Sequence, residues 1–342
     1  MKTNKSRGLF FWLGRLALTF LALIVFLAGV CVMAGEKSKR DFAKNYPPIG
    51  QLVDIGGYRL HIFCTGQSEA GEPTVIIEAG SGSVGLMWSL VQSETSRFAR
   101  ICTYDRAGLG WSEPSPHPRT SDVITNELHT LLANARVVGP YILVGHSLGG
   151  IFVREYQYKF PQQVAGIILV DSGDGDLEKF MAGTQYMQTM SQFIKVSQTF
   201  SSTGLIKVFT GLSILLSSEP AYPELPAQSA KAIQAMTAKI TETGTTEVAA
   251  LPRIWEESRA HKKSMGNLPL TVIVHGHCSS CSQDPAQLAM EENGWLELQK
   301  HIASLSTNSR LIVANPQTGH DVQIDQPGLI VDAILAIITQ HD

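Results

Sequence analysis

Charge is scarce in this chain and nearly balanced. Asp, Glu, Lys and Arg make up 17% of the 342 residues, and 27 basic against 30 acidic side chains leave a formal net charge of −3. No dense basic surface of the kind that holds nucleic acid can be built from that. Cysteine is sparse too, at 5 residues, too few for a disulfide-stapled scaffold. The 10 histidines form no tract. No internal repeat is visible, which excludes solenoids and propellers. One stretch has metal-like density, His275-Gly-His277-Cys278-Ser-Ser-Cys281. Yet His275 ends an apolar strand-like run and no second ligand pair occurs elsewhere, so the non-metal reading is preferred over structural zinc.

What the chain does have is one long apolar run. Leu16 to Ala34 carries no charged residue, with Lys2, Lys5, Arg7 and Arg15 before it. As a helix it is about 28 Å long, close to the hydrocarbon core of a bilayer. It is longer than the apolar core of most signal peptides, roughly 7–15 residues. An uncleaved signal anchor is therefore favoured over cleavage at Val32-Met33-Ala34. Either way the rest of the chain is expected to be exported, periplasmic or extracellular. Residues 1–45 read as membrane anchor or signal segment plus linker, and residues 46–342 as one globular domain. Cys64 and Cys102 lie in strand-like runs and read as buried thiols, while export allows a Cys278–Cys281 disulfide.

Past Tyr46-Pro47-Pro48 the chain alternates between strand and helix patterns. Gln51–Ile55 and Arg59–Cys64 read as a hairpin turning at Gly56-Gly57. Buried strands follow at Val75–Ile77, Ile101–Tyr104, Tyr141–Val144, Ile167–Val170, Leu270–Val274 and Leu311–Val313, with helices such as Ser121–Ala135 and Gln287–Ser304 between them. That rhythm predicts a mostly parallel sheet covered on both faces. It breaks between about residues 172 and 267, where helical stretches such as Phe180–Val196 and Leu205–Leu216 flank a proline-rich break, Pro220–Pro226. An insertion after a strand's C-terminal end is placed to form a cap over a site there.

The chemistry centres on Gly145-His146-Ser147-Leu148-Gly149, a G-x-S-x-G pentapeptide between a strand-like run and a helical one. A tight strand-to-helix turn lifts the Ser147 hydroxyl out of the sheet, and the helix start offers free N–H groups to an oxyanion. A serine needs a base, and His320, in the loop after the last strand, has the right place in the chain order. The base needs an acid to orient it. Asp171, at a strand tip, and Asp284, in the next loop, both satisfy the order. Asp284 precedes Pro285 and a helix, where an N-cap role is commoner, so Asp171 leads. For the oxyanion hole the N–H of Leu148 pairs with one from the turn after Val75–Ile77, taken as Ser81 in Glu78-Ala79-Gly80-Ser81-Gly82.

With Tyr104-Asp105-Arg106-Ala107-Gly108-Leu109-Gly110-Trp111-Ser112, Leu169-Val170-Asp171 and Gly319-His320 added, these segments resemble the α/β-hydrolase superfamily, specifically bacterial membrane-anchored or exported serine hydrolases with a helical cap. The likeness runs from about residue 50 to 340. It implies an α/β fold with an eight-stranded mostly parallel sheet, helices on both faces and a helical cap insertion. It also implies a Ser147 nucleophile with His320 as base, no cofactor and no metal. Relatives with aspartate at the elbow are dehalogenases or epoxide hydrolases, which Ser147 argues against. The 104–112 segment is a structural turn in such proteins and is given no chemistry. Some members place the acid after the sixth strand, in agreement with Asp171. The expected activity is carboxylic-ester hydrolysis, with a small-molecule substrate whose hydrophobic part faces the apolar cap. Amidase or peptidase action, acyl transfer, and a hydrolase-like binding protein without turnover are the rivals.

Overall fold

The computed structural model describes residues 4–67, 69, 71–216, 222–278 and 281–341. Eight strands form one sheet in the order β1-β2-β4-β3-β5-β6-β7-β8 among these residues. They are β1 (Gln51–Asp54), β2 (Arg59–Thr65), β3 (Thr74–Glu78), β4 (Ile101–Tyr104), β5 (Tyr141–His146), β6 (Val164–Val170), β7 (Leu270–Val274) and β8 (Ser309–Val313). β2 runs antiparallel to both β1 and β4, and all other pairs are parallel. The antiparallel edge comes from a short hairpin whose turn glycines, Gly56 and Gly57, have φ of +115° and +104°, which side chains resist. β3, β5 and β6 are buried along their whole length, as both-face coverage requires.

Side-chain alternation along the strands divides the core in two. Tyr141, Leu143, Ile167, Leu169 and Val272 join one cluster, and Ile142, Val144, Ile168, Val170 and Ile273 the other. Successive strand residues point to opposite faces, so each cluster is the packing under one helical layer. The helices, in chain order, are α1 (Asn4–Asn45), α2 (Ser89–Thr95), α3 (Ser121–Asn134), α4 (Gly149–Lys159), α5 (Leu177–Phe180), α6 (Gln185–Thr203), α7 (Ile206–Leu216), α8 (Ala227–Ala235), α9 (Thr237–His261), α10 (Pro285–Ala303), α11 (Val322–Asp325) and α12 (Pro327–His341). Ile330, Ile334 and Ile337 of α12 enter the second cluster with Val91 of α2.

Helix α1 does not stop at the end of the apolar run. It continues to Asn45, and Phe42 in its last turns is buried in the second cluster. Lys39 pairs with Glu242 of α9 at 3.1 Å, and the Tyr46 carbonyl accepts from Trp111 Nε1 at 2.8 Å. Its segment Phe11–Asn45 includes a window long and apolar enough to cross a membrane, by length and composition.

Five helices, α5 to α9, lie between β6 and β7 among the described residues. The helix expected from Phe180 begins instead at Gln185. Gly183 (φ +79°) breaks the chain there, and the Thr184 hydroxyl caps α6 by accepting from Met187 N at 3.2 Å. Pro220 and Ala221 of the proline-rich break, and Ser279 and Ser280 between the C-x-x-C cysteines, lie outside the described residues.

Cys64 and Cys102 are not free thiols; they form a disulfide. β2 pairs with β4, bypassing β3, and the register sets Cys64 directly opposite Cys102. Only that non-sequential pairing brings the two together, and periodicity carries no sign of it. Cys278 and Cys281 form a second disulfide.

Candidate active site

The sheet order reverses at β3 and β5, since β3 is followed in the chain by β4 on one side and by β5 on the other. Crevices form beyond strand ends at such a point. Ser147 sits there, between β5 and α4, with φ of +51°, the strained backbone of a sharp strand-to-helix turn. Its amide donates to Val170 O at 3.0 Å, and its carbonyl accepts from Gly173 N at 2.9 Å, which ties the turn to the end of β6. Gly149 lets the start of α4 press against β3. A Cβ there would lie 2.3 Å from Glu78 O.

The turn after β3 lies against the same serine. A Cβ on Gly80 would come within 3.2 Å of Ser147 Cβ and 2.9 Å of His146 Nδ1. The amides of Ser81 and Leu148 have no intramolecular acceptor among the described residues. Two unpaired donors on the segments flanking a serine are what an oxyanion hole consists of.

Asp171 follows β6, fully buried, with φ of +44°. His320 Nδ1 lies 2.5 Å from Asp171 Oδ2. The same carboxylate accepts from Trp295 Nε1 at 2.7 Å, from His275 N at 3.2 Å and from His275 Nδ1 at 2.8 Å. Burial alone would raise its pKa, but the hydrogen bonds from the two histidines and their charges hold it well below the usual carboxylate range. Burial likewise pulls the His320 imidazole down, and the bond to Asp171 and its charge more than offset this, so its pKa is raised. Asp284 is elsewhere: its carboxylate accepts from Ala286 N at 3.1 Å and Gln287 N at 3.0 Å, capping α10.

His146 holds the loop of His320. Its Nε2 lies 2.9 Å from the His320 carbonyl, an acceptor only, so Nε2 carries the proton. Burial, then the neighbouring His320, lowers the His146 pKa to about 4, so it stays neutral. The His146 and His320 ring centroids are 4.6 Å apart. No hydrogen bond joins Ser147 Oγ to His320 Nε2 among the described residues, and bonds of this kind often tighten only around substrate. A cavity of about 60 Å³ beside Asp171 and His320 is lined by these two with Tyr186, His275 and Trp295 among others; Ser147 is not among its lining residues.

Sequence patterns missed a further buried cluster. Arg106, from the turn given no chemistry, donates to Ala79 O at 2.5 Å and Gly80 O at 2.6 Å. It also meets Glu78 Oε1 at 2.7 Å and both oxygens of Glu247 on α9 at 2.7 and 2.9 Å. Glu247 in turn accepts from Gly82 N at 2.9 Å and Ser81 Oγ at 3.3 Å. The Ser81 turn is thus fastened from below by Arg106 and from above by Glu247. Arg106 stood inside a visible motif, but its partner lies 141 residues away. His275 and Trp295 were missed likewise, although His275 stood at a strand tip, where chemistry collects.

Comparison with known proteins agrees with this architecture. The "Probable transporter efuK" of Hormonema carpetanum is 36% identical over 126 residues, 35% of this chain and 18% of that protein. The uncharacterized protein YqjL of Bacillus subtilis is 26% identical over 261 residues, 76% of this chain and 81% of its own. The chain thus spans less than a fifth of the first relative and most of the second. The enol-lactonase of Burkholderia xenovorans LB400 superposes with a TM-score of 0.59 at 16% identity, over 84% of this chain and 100% of the enzyme, which is a likeness of fold. The sequence model of the alpha/beta hydrolase family matches residues 75–333. This chain belongs to the alpha/beta hydrolase family.

Proposed function

We propose that this protein is a serine hydrolase of carboxylic esters. The observation that carries the reading is the buried carboxylate of Asp171 on Nδ1 of His320, beside a serine at positive φ on a strand-to-helix turn. With Nδ1 donating to Asp171, Nε2 of a neutral His320 is free to accept a proton. Ser147 Oγ attacks the ester carbonyl and passes its proton to Nε2. The oxyanion accepts from the amides of Ser81 and Leu148. Collapse of the tetrahedral adduct breaks the C–O bond, and Nε2–H gives its proton to the leaving alkoxide, which departs as the alcohol. Water then attacks the acyl-enzyme and gives a proton to Nε2, and the second adduct returns that proton to Ser147 and releases the acid.

The helices from about residue 172 to 267 form the cap in this reading, and their apolar surface supports an ester with a hydrophobic part. The two disulfides support an oxidising compartment. Packing of α1 on α7, where a Cβ on Gly211 would lie 1.7 Å from Cys31 O, supports retention of the N-terminal helix over cleavage after Ala34. The hydrolase domain is then exported and held at the membrane by α1.

The test is labelling of the full chain by a fluorophosphonate, with hydrolysis of p-nitrophenyl esters of rising chain length. Labelling lost in Ser147→Ala and His320→Ala supports the reading. Labelling that persists in Ser147→Ala overturns it, and so does a labelled protein that turns over no ester.

A further inference from the structure

Helix α7 is almost wholly apolar; Lys207 is its one charged residue in Ile206–Leu216. It is also poorly covered. Phe209, Leu212, Leu215 and Leu216 are exposed, Leu216 at 74%, and Leu205 just before the helix is exposed as well. A patch of this kind on a monomer marks an interaction site. What covers it follows from where α7 crosses α1. No charged residue stands between Arg15 and Glu36, a run of about 30 Å that matches the hydrocarbon thickness of a bilayer. α1 is bare along residues 11–27 and becomes packed beyond them. The crossing lies inside the apolar run, near its end: Gly211 meets the Cys31 backbone, and Gly35 faces Thr210 and Gly211. Small residues let the two backbones approach so closely. Cys31 lies four residues, about 6 Å, before Gly35. A bilayer that surrounds the apolar run of α1 must therefore reach α7 as well.

We infer that the exposed face of α7, with the adjoining Leu205, is a membrane-docking surface that sits among the lipid acyl chains of the leaflet facing the hydrolase domain. The depth of about 6 Å falls within the range of interfacial helices, roughly 5–10 Å. Lys207 can reach the phosphate headgroups by extending its stem. Because α7 belongs to the segment between β6 and β7, docking attaches the proposed cap to the bilayer and turns its apolar edge toward lipid-dissolved esters. The inference rests on the reading that α1 remains in the membrane, and it does not depend on which bond the enzyme cleaves.

The test uses the full chain in phosphatidylcholine–phosphatidylglycerol nanodiscs, with Cys31→Ala to remove the free thiol. Nitroxide labels are placed singly by Leu212→Cys and Leu215→Cys, with Phe20→Cys on the bare part of α1 and Val138→Cys as controls. Val138 is 74% exposed and lies at the opposite end of the sheet, before β5. Labels at 212 and 215 should favour collision with oxygen over a water-soluble nickel chelate, as the label at 20 does, while the label at 138 shows the reverse. Labels at 212 and 215 that behave like 138 while 20 is immersed overturn the docking and leave the anchor standing. An aqueous label at 20 overturns the anchor and the docking together. Dipolar broadening between copies at 215 would mean that a second chain, and not lipid, covers the face.

Discussion

His275 Nδ1 lies 2.8 Å from Asp171 Oδ2, the same oxygen that His320 Nδ1 meets at 2.5 Å. One buried carboxylate therefore serves two imidazoles. His275 stands just after β7, and the acid of the proposed triad stands just after β6. Trp295 adds a third side-chain donor. A buried carboxylate with that many donors is fixed in position and stays ionised.

The two imidazoles are separable by mutation. In the mechanism proposed, Asp171→Asn lowers kcat by on the order of 10⁴-fold, because the amide cannot hold the His320 tautomer. His275→Phe removes only a donor to the acid. It should cost about 1–3 kcal/mol of stability, the penalty for an under-satisfied buried group, and much less activity than Asp171→Asn. Steady-state kinetics with urea unfolding measure both. Equal kinetic loss in His275→Phe and His320→Phe would mean that the base has been assigned to the wrong ring.

The pH profile carries a second expectation. In the proposed mechanism His320 acts as base only when unprotonated, so kcat/KM should rise with pH through the His320 pKa. Burial lowers that pKa and Asp171 raises it by more, so the acidic limb should have its midpoint above the ordinary 6.5. In Asp171→Asn the raising partner is gone, and the midpoint should move down. His146, at about 4, stays neutral across the range and adds no limb. A midpoint that rises in Asp171→Asn would contradict the pairing.

Asp284 gives a clean negative. As an N-cap its removal in Asp284→Ala should cost about 1 kcal/mol and lower the melting temperature by roughly 2 °C, with kcat/KM close to wild type. Calorimetry and ester kinetics decide. A collapse of kcat without a change in melting temperature would return Asp284 to the reaction.

Most of the fold was legible because alternation and helical period are local. Ser147, at a strand–helix junction, and His320, in the loop after the last strand, could be placed from their neighbours in the chain. Asp171, 149 residues from His320, led over Asp284 by its position at a strand tip. Other long-range partners could not be placed: Arg106 and Glu247 are 141 residues apart. Nothing in hydrophobic pattern marks which buried charge meets which. Cys64 and Cys102 were misread for the same reason, since the pairing of β2 with β4 skips β3 in the chain.

The Arg106–Glu247 pair yields a prediction about the proposed oxyanion turn. Glu247 holds Gly82 N and Ser81 Oγ while Arg106 holds the carbonyls of Ala79 and Gly80. Glu247→Gln weakens one side of that clamp without emptying the space. The Ser81 amide loses its fixed aim, and kcat should fall by on the order of 10²-fold, the scale of a lost or misplaced oxyanion donor. KM should change little, because ground-state contacts are untouched. A variant that melts early yet keeps its kcat would make the clamp merely structural.

The last prediction concerns the hairpin edge. The Cys64–Cys102 bridge closes a separation of 38 residues and ties β2 to β4, while Cys278–Cys281 closes a separation of 3. Cross-links stabilise mainly by restricting the unfolded chain, and more so for longer loops. The long one should contribute about 4 kcal/mol and the short one about 2. Cys64→Ser with Cys102→Ser should therefore lower the urea midpoint about twice as much as Cys278→Ser with Cys281→Ser. The short bridge lines the cavity beside His320, so its loss should show in KM, whereas loss of the long bridge should leave KM unchanged. If the 64/102 double variant unfolds at the wild-type midpoint, the first bridge does not form in solution, and the support it lends to an exported domain disappears with it.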